Sequence, residues 1–186
     1  DMEGVEMFFK AQRTVFDDAK KRLASILKER DYFAADADTL NVISTMSTIL
    51  AMPKPYSRIG ELPELVQKVK TAYDGLLDMK REEVAENIRQ CMQDVHQLAS
   101  EARDAGALLR QADDHFVDKR EAAKTATSLT ELDAMITQLL NYKDTICRRM
   151  EVMSASRQQE AQKPTPAATA KPGTPAPKPP KIMTVR

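Results

Sequence analysis

Residues 84–116 read VAENIRQCMQDVHQLASEARDAGALLRQADDHF, and the spacing of their apolar members decides the fold. Val84, Ile88, Cys91, Val95, Leu98, Ala102, Ala105, Leu109, Ala112 and Phe116 follow one another at steps of four, three, four, three without a slip. An average step of about 3.5 residues is the seam of a coiled-coil-like helix laid against a partner. Proline is missing between Pro63 and Ala123, so the pattern predicts one unbroken helix over that whole stretch. At about 1.5 Å per residue such a helix is a rod of roughly 90 Å, too long for the middle of a compact globule.

Downstream, Ser128-Leu-Thr-Glu131 has capping-box spacing, in which Ser128 and Glu131 each satisfy a free backbone donor. Leu129, Leu132, Ile136, Leu139, Lys143, Ile146, Met150 and Met153 then step three, four, three, four, with Lys143 alone spoiling the seam. Alternating Ala and Thr at Lys124–Thr127 place a hairpin tip there. Two matched helices joined by a short turn predict an antiparallel pair. Lys80 falls where Leu76 and Val84 call for an apolar residue, which places the departure of this arm from a bundle end at about residue 80. Gly75 and Gly106 mark two soft points, as kinks or as places of close helix approach.

Upstream, Phe8, Phe9, Val15, Phe16, Ala19, Leu23, Ile26 and Leu27 give a first helix over about Val5–Arg30. Its phenylalanines either plug one end of a core or form a partner-binding patch. Asp31–Asp38 breaks the pattern, and Asp36 or Asp38 can cap a second helix. That helix carries Leu40, Ile43, Met46, Ile49 and Leu50 on one stripe and uncharged Ser44, Thr45, Ser47 and Thr48 opposite, a face suited to lying between neighbours. It ends at Met52, because Pro53 and Pro55 remove donors and push the residues before them out of helical geometry. A short turn at Ser57–Gly60 follows, with Tyr56 and Ile59 folding back on the core, and Pro63 opens the long helix where a missing N–H costs nothing.

Few glycines and aromatics, no tryptophan and an abundance of strong helix formers make the class all-α. The expected architecture is a helical bundle end at 1–80, a long antiparallel coiled-coil hairpin at 81–160, a disordered Pro/Ala/Lys-rich linker at 161–181, and the start of a further module at 182–186. The linker reading rests on seven of the ten prolines falling between Lys163 and Lys181, in a segment without acids. All 28 acids precede Lys163, whereas five of the 28 basic residues follow from there, so the body carries −5 and the tail +5. An acidic body argues against a large nucleic-acid footprint. No apolar run reaches the length of about 20 residues needed for a membrane-spanning helix, so no membrane partner is expected.

The residues offer no catalytic, cofactor-binding or metal-binding constellation, and the expectation is a chain that is not an enzyme and holds no cofactor. His96 and His115 lie 19 apart on the expected long helix and cannot share a metal. Asp113-Asp114-His115 reads as a solvated polar face, since consecutive helical residues point apart. Cys91 and Cys147 lack C-x-x-C spacing and read as small core residues of a reducing compartment. A phosphate-cradling glycine loop is missing from the sequence.

Two stretches are more distinctive than generic helix. Phe8-Phe-Lys-Ala-Gln-Arg-Thr-Val-Phe-Asp-Asp-Ala19 and Met52-Pro-Lys-Pro-Tyr-Ser-Arg-Ile-Gly-Glu-Leu-Pro-Glu-Leu-Val66 resemble the C-terminal helical region of the large P-loop ATPases of BREX phage-defence systems, the BrxC/PglY family. The proline-rich stretch before Ile182 looks like that family's join to a short terminal module. The resemblance implies a cytoplasmic bacterial defence complex, with this chain as a non-catalytic interaction or assembly module that self-associates or docks another component of the system. Nothing of an ATP site carries over, because the nucleotide-binding motif is missing here. Two other readings stand beside it. One is a nucleic-acid-contacting module using the basic tail and the tip near Lys119, Arg120 and Lys124; the other is a stand-alone helical regulatory protein.

Overall fold

The computed structural model describes residues 2–162, and among them the chain is all-α. The expected linker from residue 163 onward and the expected module at 182–186 lie outside the described residues. Five helices follow in order: α1 (Met2–Leu27), α2 (Ala37–Ala51), α3 (Leu62–Glu101), α4 (Gly106–Thr125) and α5 (Leu129–Gln162). Single 3-10 turns at Arg30–Phe33, Pro55–Ser57 and Ile59–Glu61 shape the first two connections.

The helix ends follow their local chemistry. Asp36 caps α2, its Oδ1 accepting from the Thr39 amide at 3.1 Å and its Oδ2 from the Thr39 hydroxyl. Those bonds hold the Asp36 carboxyl below its ordinary range. α2 stops at Ala51, and Pro63 sits in the first turn of α3. Ile59 is buried, as expected, whereas the Tyr56 side chain lies outside the described part. On α2 the hydroxyls of Thr45, Ser47 and Thr48 bond back to carbonyls four residues earlier in their own helix. Back-bonding of this kind satisfies them without any neighbour.

The expected sixty-residue rod is corrected: the chain breaks at residues 102–105 and doubles back. Ala102 leaves the helical region with φ −107° and ψ 137°, and Asp104 adopts φ 60°. Left-handed backbone costs about 1–2 kcal/mol for most residues, less for Asp. Against that cost, the reversal lays α4 along α3 and α5 and buries Ala112, Phe116 and Ala123. Burying one Phe side chain contributes about 1.5–3 kcal/mol, which alone offsets the turn. The apolar spacing passes through the turn unbroken, because Ala105, Ala112 and Phe116 face the same core as Val84, Ile88, Cys91 and Val95.

α3, roughly 60 Å long at 40 residues, is therefore a spine shared by two sets of neighbours. Its first half packs with α1 and α2, its second half with α4 and α5, and α3 with α5 is the most extensive pairing. In place of a two-helix arm, the C-terminal part is a three-helix arrangement. Its core holds Leu129, Leu132, Leu139, Ile146 and Met150 of α5 against the α3 and α4 stripes.

Gly75 lies within the continuous helix α3 and permits no close approach, since a Cβ built there meets nothing within 4 Å. Gly75→Ala should therefore stabilise the fold by up to about 1 kcal/mol, through helix propensity and a less flexible unfolded chain. A thermal melt reads this as a rise of a few degrees; a fall in melting temperature would contradict the open geometry. Gly106, in contrast, opens α4 just after the reversal.

Candidate interaction surface and the helical junction

Polar side chains from four parts of the chain converge where α1 gives way to α5 beside the spine. Tyr73 of α3 places its hydroxyl 2.8 Å from Glu29 Oε1, to which it donates, and accepts from the Leu129 amide at 3.1 Å. Glu29 Oε2 accepts from both the amide and the hydroxyl of Thr130, at 2.9 and 3.2 Å. The free donors at the start of α5 are thus satisfied largely from the connection that follows α1 and from α3. Ser128 Oγ accepts from the Glu131 amide at 3.4 Å, the local part of the cap. Arg81 Nη2 donates to the Ala126 carbonyl at 2.6 Å, and Arg81 Nε is buried without a partner among the described residues.

One turn along, Lys80 lies 3.1 Å from Asp133 and 3.0 Å from Glu83, with its ammonium 5.9 Å from the centroid of the Tyr32 ring. Tyr32 donates its hydroxyl to Asp133 at 2.9 Å. Partial burial opposes the charge on Lys80, but the two carboxylates outweigh it and raise its pKa. The Tyr32 hydroxyl and Lys80 in turn hold Asp133 below the usual carboxylate range. Lys143, the other residue that interrupts a seam, pairs with Asp94 at 3.5 Å. Both lysines therefore answer carboxylates on neighbouring helices.

This junction changes the reading of the expected hairpin tip. Residues 124–127 do not project: Ala126 is buried, its carbonyl is held by Arg81, and Thr127 adjoins Tyr73 and the start of α5. Lys124 is paired with Glu121, and Lys119 donates to Gln138.

The histidines also move from their expected places, for they stand on different helices. His96 on α3 lies 2.8 Å from Asp113 on α4. His115 is no solvated surface residue, as its ring stacks on Tyr142 at 3.6 Å between centroids and its Nε2 is buried without a partner among the described residues. Burial, followed by the nearby Lys119, pushes the His115 pKa down. Because the folded value lies below the unfolded one, the unfolded chain takes up the proton first as pH falls. His115 therefore favours the fold fully above about pH 6.5 and progressively less below it. His115→Phe, which keeps the stacked ring, should reduce the loss of stability between about pH 7 and pH 5 in urea titrations. An unchanged slope would refute this assignment. Cys91 is buried and Cys147 half-buried, and burial raises both thiol pKa values, away from reactivity. Among the described residues, no three His, Cys, Asp or Glu side chains gather as a metal ion requires.

The apolar surface lies elsewhere, on the first half of α1. Met2, Val5, Met7, Phe8 and Phe9 are each more than half exposed, from 54% at Val5 to 79% at Met2. The two Phe rings meet edge-on at 5.9 Å. Phe8 and Phe9 thus do not plug the core; of the three phenylalanines of α1 only Phe16 packs against it. α1 has 26 residues against 15 in α2, and Met2–Ala11 are all exposed, so the start of α1 overhangs the part of the helix that packs on the core. At the base of this overhang Phe9, Gln12, Arg13 and Phe16 line a groove with Pro55 and Ile59. Four of those six residues fall within Phe8–Ala19. A scan against protein-family models finds no match, and no solved structure matches the chain.

Proposed function

We propose that this chain is a non-catalytic interaction and assembly module whose contact surface is the α1 overhang. One observation carries the reading: Met2, Val5, Phe8 and Phe9, four large apolar side chains that share one face of α1 at helical spacing, all stand exposed in its first turns. Exposing such a cluster has a hydration cost, and contiguous apolar patches of this kind mark interaction sites far more often than they stand idle. The acidic balance of residues 1–162 supports a protein partner over nucleic acid. The paired state of Lys119 and Lys124 supports the same preference.

The resemblance to BREX ATPases carries the proposal one step further, to an assembly arm of a defence complex in which catalysis resides on other chains or segments. The test is complementation in the natural host. A strain lacking the protein is supplied with the wild-type form or with the Phe8→Ser/Phe9→Ser double variant. Phage plaque counts should rise to those of the deletion strain with the variant, at unchanged protein level. Full protection by the variant would rule out the overhang as the surface that matters for defence.

A further inference from the structure

The apolar stripe of α1 is continuous from the overhang into the core. Met2, Val5, Phe9, Gln12, Phe16, Ala19, Leu23 and Ile26 step three, four, three, four along the helix. From Phe16 on, this stripe faces the chain's own core, with Ala19, Leu23 and Ile26 buried. Before Phe16 the same stripe, apart from the polar, half-buried Gln12, is open. What covers it must therefore continue a helix-on-helix seam, and the flanking charges restrict the choice of helix. Glu6 and Arg13 sit two turns apart on one flank, both exposed, with neither in an ion pair that the described residues provide.

We propose that the α1 overhang pairs, antiparallel and about a two-fold axis, with the α1 overhang of a second copy of this chain. The assignment rests on the assembly reading above and names its partner. In the register that sets Phe9 opposite Gln12 of the second copy, Val5 meets Phe16 of that copy, and the pairing ends there, because Ala19, opposite Met2, is already covered by its own core. Val5 then enters the groove that Phe16 forms with Pro55 and Ile59. Phe8 flanks the seam opposite Val15, and Glu6 falls beside Arg13 of the second copy, with the reciprocal pair generated by the symmetry. The neighbouring register, with Val5 opposite Phe9, sets Glu6 beside Glu6. Like charges placed together are penalised, so the charges select the first register. A second copy thus supplies both the apolar ridge for the groove and the opposite charge for each flank.

Sedimentation equilibrium on the 186-residue chain tests the pairing. A dimer of twice 20.8 kDa is expected, with a dissociation constant tighter than roughly 100 µM. Glu6→Arg alone and Arg13→Glu alone should each weaken it by about tenfold or more, by facing like charges. The double reversal should restore it, a rescue that a merely non-specific apolar contact does not give. Phe9→Ser should leave only monomer, with unchanged circular dichroism, because Phe9 is outside the core. A monomer at all concentrations, or a double reversal as weak as the single ones, overturns the proposal. The outcome is separable from that of the plaque test. A monomeric wild type whose Phe8→Ser/Phe9→Ser variant still loses protection means the overhang serves a different protein. A dimer whose loss leaves protection intact means the pairing exists but the assembly reading fails.

Discussion

Phe116→Ala is expected to destabilise the protein by about 3–5 kcal/mol, the range for removing a fully buried aromatic ring. Phe116 is completely shielded from solvent and meets Tyr142 of α5 edge-to-face at 5.6 Å, while His115 stacks on the face of that tyrosine and lies edge-on to Phe116. Truncation removes the aromatic pair as well as the burial, and α4 and α5, held by caps at the junction, cannot fully close the gap. The measurement is a urea unfolding curve at neutral pH, read for a lower midpoint at similar slope. In a straight rod Phe116 would have α5 on one side only and would remain partly wet, so a loss under about 1 kcal/mol would contradict the doubled-back helix.

Tyr73→Phe should cost about 1–3 kcal/mol, far more than loss of one hydroxyl at a surface. The Tyr73 hydroxyl is both acceptor for the Leu129 amide and donor to Glu29, and Leu129 is fully buried. With phenylalanine there, a buried N–H is left without its partner and Glu29 loses one of its three donors. Glu29→Gln keeps an acceptor for Thr130 but places an amide against the Tyr73 hydroxyl. The two changes share one network, so their combined effect should differ from their sum by about 0.5–3 kcal/mol. Additivity would mean that the junction is a set of independent surface contacts. Hydrogen exchange at the first turn of α5 offers a local readout, since protection there should fall first.

How much of this was legible in the sequence differs by element, and each difference has a physical cause. The all-α class, the Asp36 cap, the stop before Pro53 and the inward faces of α3 and α5 follow from short-range rules, and the structure has them as expected. The reversal at 102–105 escaped the spacing argument because a four-residue turn can keep a three-four pattern in step. Its local signals, an Asp that tolerates left-handed backbone two residues before Gly106, are weak beside ten apolar positions in register. Residues 124–127 were misplaced in consequence: a tip is exposed on a two-helix arm, but the chain's doubling back at 102–105 brings it to the middle of the spine. The caps on α5 come from Glu29 and Tyr73, about 101 and 56 positions away, beyond any local reading. For the phenylalanines the sequence left two readings open. The length of α1 relative to α2 decides between them, leaving Phe8 and Phe9 outside and drawing Phe16 in.

A distance between α3 and α4 tests the account at its centre, the doubled-back chain that withdraws residues 124–127 and leaves the α1 overhang as the proposed contact surface. Glu86 and Glu121 are both exposed, and the neighbouring contacts Arg81–Ala126, Arg120–Met92 and His96–Asp113 fix the antiparallel alignment between them. Spin labels at these two positions, read by double electron–electron resonance, should report a separation of about 10–20 Å, as for adjacent helices carrying flexible labels. A single narrow distance near 50 Å, the span of 35 residues in one straight helix, would falsify the fold and with it the placement of the contact surface.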